Sequence, residues 1–138
     1  MKKYKTGYTT GVFDLFHIGH LNILKRAKEQ CEHLIVGVST DELVAAYKSK
    51  KPIIPFEERI SIVRAIKYVD EVVIQESMDK YAAWKNLHFD ALFHGDDWKS
   101  SPMYDKYEKE FSTVGVDIVF LPHTQGTSST EISKKLQE

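Results

Sequence analysis

Two histidines, His17 and His20, sit three residues apart inside the run Gly11-Val12-Phe13-Asp14-Leu15-Phe16-His17-Ile18-Gly19-His20. The run follows the first strand-like stretch and opens the first helix-like one. Residues three apart share one face of a helix, and a helix start attracts anions through its free N–H groups and its dipole. A single histidine there reads as a cap or a half-buried polar group. Here the preceding strand, the Gly-x-Phe-Asp turn and Gly19 between the imidazoles favour a grip on phosphate. Imidazoles so placed donate hydrogen bonds to an anion and stabilise charge that grows in a transition state.

Three further segments carry groups that suit a phosphorylated ligand. Gly126-Thr127-Ser128-Ser129-Thr130 joins a glycine, where a backbone can come close to a ligand, to a run of hydroxyls at a helix start. A serine cap accounts for Ser128 and Glu131, spaced as a capping box, but leaves the rest of the hydroxyl run unexplained. Gly95-Asp96-Asp97-Trp98 brings two carboxylates and an indole that suit base contact or ligand orientation, and it reads equally well as a plain turn. Tyr47 to Pro55 has no clear pattern and carries Lys48, Lys50 and Lys51. Lysines on a loop are commonly solvated surface, yet a loop after the second strand can close over a ligand, and ammonium groups suit phosphates. The segment is therefore expected to act as a basic lid.

The His17-Ile18-Gly19-His20 run resembles the H-x-G-H signature of nucleotidyltransferases, and the resemblance implies nucleotidyl transfer, in which an acceptor phosphate oxygen attacks the α-phosphorus of a nucleoside triphosphate in line and pyrophosphate leaves. Such a site must position two anions and neutralise their charge, with no covalent nucleophile. A magnesium ion bound mainly through the triphosphate completes the charge balance, and no residue is assigned as its ligand.

The elements that must position these groups are legible in the pattern. Strand-like runs at about Lys5 to Thr10, His33 to Ser39, Val69 to Ile74, Ala91 to His94 and Val116 to Leu121 alternate with helical segments. Helix starts are marked by Pro55 before Phe56, Pro102 before Met103, and the Ser128–Glu131 box. The apolar run Leu34-Ile35-Val36-Gly37-Val38 reads as a strand buried on both faces. The expected order is βαβαβαβαβα, folding as a Rossmann-like three-layer α/β/α sandwich around a five-stranded parallel sheet. In such sheets ligands lie beyond the carboxyl ends of the strands. Gly11 to His20, Ser39-Thr40-Asp41, Gly95 to Trp98 and Thr124 to Thr130 each follow a strand and should gather at that edge.

Composition narrows the classes. A chain of 138 residues with 42% hydrophobic and 28% charged residues is expected to form one domain over 1–138. A formal charge of −1 argues against a general nucleic-acid or membrane-surface binder. The lone Cys31 forms no internal disulfide and reads as a small, partly buried thiol in a reducing compartment. The residues after Met1-Lys2-Lys3 are too polar for a signal peptide, and no apolar run reaches membrane-spanning length, so a cytoplasmic setting is expected.

The G-x-F-D-x-x-H-x-G-H opening, Lys67-Tyr68-Val69-Asp70-Glu71-Val72, Gly95 to Trp98 and Thr124 to Thr130 closely resemble the cytidylyltransferase family of H-x-G-H nucleotidyltransferases, over nearly the whole chain. The resemblance implies a homodimer that uses CTP and Mg2+ to transfer CMP to a small phosphorylated alcohol. Glycerol 3-phosphate leads, giving CDP-glycerol and pyrophosphate for cell-surface polymers such as teichoic acid. Carried over by position, the resemblance makes His17, His20 and Lys48 catalytic. It places Gly11, Val12, Phe13, Asp14 and Gly19 on the nucleotide, with Val12 and Phe13 contacting it through their backbone. Lys48 and Lys50 match a K-x-K pair that touches acceptor phosphate and triphosphate, and Arg59 and Lys80 match acceptor-binding positions. Asp97, Trp98, His123, Thr124, Gly126, Thr127, Ser128, Ser129 and Thr130 fall on the nucleotide side, the last seven within an R-T-x-G-x-S-T-T signature.

Departures from the family pattern matter too. The signature arginine is His123, the acidic residue after it is Gln125, and the arginine of R-Y-V-D is Lys67. A histidine is only partly charged near neutral pH, so weaker triphosphate binding is expected unless another cation compensates. The rival readings are an adenylyltransferase, or a cytidylyltransferase acting on phosphocholine, phosphoethanolamine or a sugar or polyol phosphate. A fragment of a class I aminoacyl-tRNA synthetase shares the H-I-G-H letters but lacks a K-M-S-K-S-like segment. A non-enzymatic nucleotide-binding regulatory module leaves the histidine pair and the hydroxyl run without a task.

Overall fold

The computed structural model describes residues 2–48, 50–95 and 101–122. Five strands, β1 (Tyr4–Gly11), β2 (Cys31–Ser39), β3 (Glu71–Gln75), β4 (Ala91–Gly95) and β5 (Asp117–Leu121), form one sheet in the order β3-β2-β1-β4-β5. Every neighbouring pair is parallel. Helices α1 (Ile18–Gln30), α2 (Asp41–Lys48), α3 (Phe56–Arg64), α4 (Lys80–Leu87) and α5 (Pro102–Ser112) supply the connections.

Alternation along the central strands builds two cores. Leu34, Val36 and Val38 of β2, with Ala91 and Phe93 of β4, pack beneath Leu24 and Ala27 of α1 and Ile60 and Val63 of α3. The opposite face gathers Tyr8, Ile35 and Leu92 with Phe89, Tyr104, Tyr107 and Phe111, and α4 adds Tyr81, Ala83, Trp84 and Leu87. Helices on both faces of a parallel sheet make the expected three layers. Cys31 is fully buried at the joint of α1 and β2, where its Sγ lies 3.3 Å from the Ala27 carbonyl that accepts its weak hydrogen bond.

Local chemistry explains the helix starts. Ser101 accepts from the Tyr104 N–H with Pro102 next to it, Asp79 accepts from Ala82, and Pro55 precedes the first residue of α3. The order differs from simple alternation between β2 and β3, where two helices stand. Thr40 caps α2, its Oγ1 accepting from Leu43 N–H at 3.1 Å, and Asp41 and Glu42 suit the first turn. Lys48 therefore closes a helix rather than lying within a loop. β3 begins at Glu71 rather than Val69, because Val69 N–H closes a turn on the Ile66 carbonyl. Asp70 then accepts from Leu34 N–H at 2.8 Å and from Lys28 Nζ at 2.6 Å. The helix expected from Ser128 lies outside the described residues.

Strand order reverses between β1 and β4, so the crevice at their carboxyl ends is where a ligand is expected. Gly7, in the middle of β1, permits this close packing. A Cβ there would stand 2.5 Å from Phe93 Cε2 and 2.9 Å from Cys31 Sγ. Gly7→Ala is expected to lower stability by roughly 1–3 kcal/mol through overpacking, seen as a lower denaturation midpoint at unchanged m-value.

Candidate active site

The loop after β1 turns sharply to place His17 and His20. Phe13 (φ 56°) and Leu15 (φ 49°) both adopt the left-handed region that non-glycine residues seldom occupy, and they flank Asp14. Gly11 makes room for this turn, since a Cβ there would meet the Phe13 ring at 3.0 Å. The Phe13 and Phe16 rings lie 5.5 and 5.2 Å from the His20 ring, framing it on apolar walls.

The histidines form a capping box at the start of α1, with imidazoles in place of the usual hydroxyl and carboxyl. His17 is the cap rather than a helical residue, and its Nδ1 accepts from Gly19 N–H at 3.0 Å. His20 Nδ1 accepts from His17 N–H at 3.1 Å. The ring centroids are 4.0 Å apart. An imidazole nitrogen that accepts cannot carry the proton of the neutral ring, so both protons are assigned to Nε2. Burial holds the His17 imidazole below its usual range. Burial, reinforced by His17 and partly offset by Asp14, pushes His20 down to about 4. Near neutral pH the site thus presents two neutral Nε2–H donors beside a helix N-terminus that has no acidic residue in its first turn.

The remaining expected residues divide. Val12 offers its carbonyl to Arg59 Nη1 at 2.7 Å. Both oxygens of Asp14 are engaged by backbone amides, Oδ2 by Ile53 and Oδ1 by Ile54, each at 2.8 Å. Arg59, expected on the acceptor, is instead buried in the fold. Its Nε donates to the Ile54 carbonyl (2.8 Å), Nη1 also to the Ser39 carbonyl (2.8 Å), and Nη2 to Asp41 Oδ1 (2.6 Å). A guanidinium with a side chain 0% exposed and these four bonds holds loops together rather than touching a ligand. Ser39-Thr40-Asp41 does reach the ligand edge, but Ser39 bonds Gln75, Thr40 caps α2 and Asp41 pairs with Arg59.

Lys48 and Lys50 are exposed on the segment that ends at the Asp14 amide clamp. Lys80 opens α4 on the other face of the sheet, 3% exposed, and its ammonium has no hydrogen bond or ion pair with the described residues. Burial brings its ammonium down to about 8. His94, near the end of β4, is a residue that sequence reasoning missed; burial and then the nearby Lys80 charge push it down to about 3. A histidine inside a strand gives no periodic signal, so only its neighbours reveal it. Arg59 did carry a signal, since it interrupts the apolar stripe of Phe56, Ile60 and Val63 on α3. Asp97, Trp98, His123, Thr124, Gly126, Thr127, Ser128, Ser129 and Thr130 lie outside the described residues.

A parallel sheet with paired imidazole donors at its switch point defines a nucleotidyltransferase. The chain belongs to the cytidylyltransferase-like family, whose model matches residues 8–135. It is 38% identical over 129 residues to the glycerol-3-phosphate cytidylyltransferase of Bacillus spizizenii, covering 93% of this chain and 94% of that one. It is also 37% identical over 125 residues to the FAD synthase of Pyrococcus abyssi, covering 90% and 84%. The fold matches a lipopolysaccharide core biosynthesis protein of Thermoplasma volcanium at a TM-score of 0.73 and 23% identity, over 90% of this chain and 99% of that one.

His17→Asn and His20→Asn put an amide oxygen near the position of Nδ1, which can still accept at the cap, while removing the Nε2–H donors. Each is expected to cut turnover by roughly ten- to a hundredfold, the worth of one hydrogen bond to a charged group, with an unchanged circular dichroism spectrum. Near-normal turnover in both would remove the pair from the mechanism.

Depressed folded values for His20 and His94 also set an acid limit. Both imidazoles are favoured neutral in the fold, so their contribution is fully present above the unfolded value of about 6.5 and is lost as pH falls toward about 4 and about 3. The melting temperature should fall across this window, and His94→Asn should make the decline shallower. An identical slope in the variant would contradict this origin.

Proposed function

We propose that the protein transfers CMP from CTP to a small phosphorylated alcohol, glycerol 3-phosphate foremost, releasing pyrophosphate and forming CDP-glycerol for cell-surface polymer synthesis. The observation that carries this reading is the pair of neutral Nε2–H donors locked at the start of α1. Similarity to glycerol-3-phosphate cytidylyltransferases supports the choice of acceptor.

An acceptor phosphate oxygen attacks the α-phosphorus in line; the new P–O bond joins CMP to the acceptor as the bond to the β-phosphate bridging oxygen breaks. His17 and His20 donate to the phosphate oxygens, and these bonds tighten as charge moves toward the leaving pyrophosphate. Neutral imidazoles suit this task because they give protons to hydrogen bonds without being titrated by the anion they hold. Lys48 and Lys50 supply mobile positive charge over the polyphosphate. Lys80 receives the acceptor phosphate, which would provide the buried ammonium with the anionic partner it lacks among the described residues.

Magnesium, when bound, screens the triphosphate and polarises its oxygens. Among the described residues no three His, Cys, Asp or Glu side chains cluster as metal ligands. Family likeness supports a homodimer and a cytoplasmic setting. Among the described residues no helix is long and apolar enough to cross a membrane.

FAD synthases of similar identity favour a second reading, adenylyl transfer from ATP to a flavin phosphate. Pyrophosphate release measured with CTP and ATP against glycerol 3-phosphate, phosphocholine, phosphoethanolamine and FMN separates the two. The expected result is fastest release with CTP and glycerol 3-phosphate, and faster release with ATP and FMN would replace the first reading with the second. Lys80→Met should raise the acceptor KM about tenfold or more while leaving the CTP KM near its original value.

A further inference from the structure

We infer that Asp14 and Arg59 are positioning residues that tether the basic segment 48–51 to the histidine loop, so that lysines and imidazoles act on one polyphosphate. The inference rests on the transferase reading for the ligand's chemistry, and on hydrogen bonds for the tether itself.

Three successive backbone groups of the segment's far end are held. Ile53 N–H and Ile54 N–H each donate to one oxygen of the Asp14 carboxylate at 2.8 Å, and the Ile54 carbonyl accepts from Arg59 Nε at 2.8 Å. The helix that leads into the segment is held at its start, because Arg59 Nη2 donates to Asp41 Oδ1, in the first turn of α2, at 2.6 Å. Asp41 Oδ2 in turn accepts from Phe56 N–H at 3.3 Å. One guanidinium also donates to the Val12 carbonyl, two residues before Asp14. The histidine loop, the start of the helix that carries Lys48 and the backbone of residues 53–54 therefore share one set of bonds.

Burial does not hold this segment in place. Ile53 is 52% exposed, and Lys48, Lys50 and Lys51 are all exposed. Polar bonds thus decide where residues 50–54 lie. Binding two consecutive amides takes two acceptor oxygens, which a carboxylate has and an amide side chain does not. The left-handed residues on either side of Asp14 set its position three residues before the His17 cap.

Two measurements on the whole protein test this, and neither requires turnover. In Asp14→Asn, hydrogen exchange at the Ile53 and Ile54 amides is expected to rise about tenfold or more while Leu24, in the core of α1, keeps its protection. Affinity for inorganic tripolyphosphate is expected to fall about tenfold in Asp14→Asn and comparably in Lys48→Ala/Lys50→Ala, while the triple variant is no weaker than the lysine variant. Should Asp14→Asn fail to fold, Ile53→Pro deletes one clamped amide and leaves Asp14 in place, with the same non-additivity expected. Unchanged exchange, losses that multiply in the triple variant, or no tripolyphosphate binding by the unaltered protein would each overturn the inference. Failure of the transferase reading would show separately, as absence of pyrophosphate release.

Discussion

A guanidinium removed from water must be met by acceptors, because an uncompensated buried charge costs far more than most folded contacts return. Arg59 is in that position, and its acceptors come from four places: the loop after β1, the end of β2, the start of α2 and the approach to α3. The requirement to satisfy one charge therefore fixes the carboxyl edge on the α1 side, and Asp14 extends the arrangement outward to Ile53 and Ile54.

Within that frame the histidine pair unites stability and chemistry. Helix starts leave N–H groups without intrahelical partners, and here imidazole nitrogens accept from Gly19 and from His17 itself. Capping consumes Nδ1 and leaves the proton on Nε2, so the bonds that begin α1 also select the tautomer that can donate to a phosphate. Burial, with Phe13 and Phe16 against its ring, keeps His20 neutral. The same apolar walls raise the strength of any hydrogen bond made there.

The two faces of the sheet divide the site. Imidazoles and the basic segment gather on the α1 and α3 side, whereas Lys80 and His94 stand on the α4 and α5 side, in surroundings that disfavour positive charge on both. A nucleotidyl transfer joins two anions that repel each other, and on the proposed reading cationic groups on opposite sides of the switch point would hold each anion before they meet. A glycerol-3-phosphate cytidylyltransferase and an FAD synthase both align over most of this chain, in line with chemistry residing in particular residues rather than in the fold.

Much of this was legible in the amino-acid order. Apolar runs such as Leu34 to Val38 specified parallel strands buried on both faces, Pro55 and Pro102 marked helix starts, and the spacing of His17 and His20 placed an imidazole pair at the helix start after the first strand. These signals are local: strand period, caps and turns depend on residues a few positions apart. The second helix after β2, the later start of β3, the structural use of Arg59 and the nearness of His94 to Lys80 came only from the tertiary structure. Each depends on a partner contributed by another element, as when Asp14 meets Ile53 and Ile54 across nearly forty residues of chain. Whether a charge is exposed or buried, paired or left to bind a ligand, is decided by packing in space, which sequence neighbours do not report.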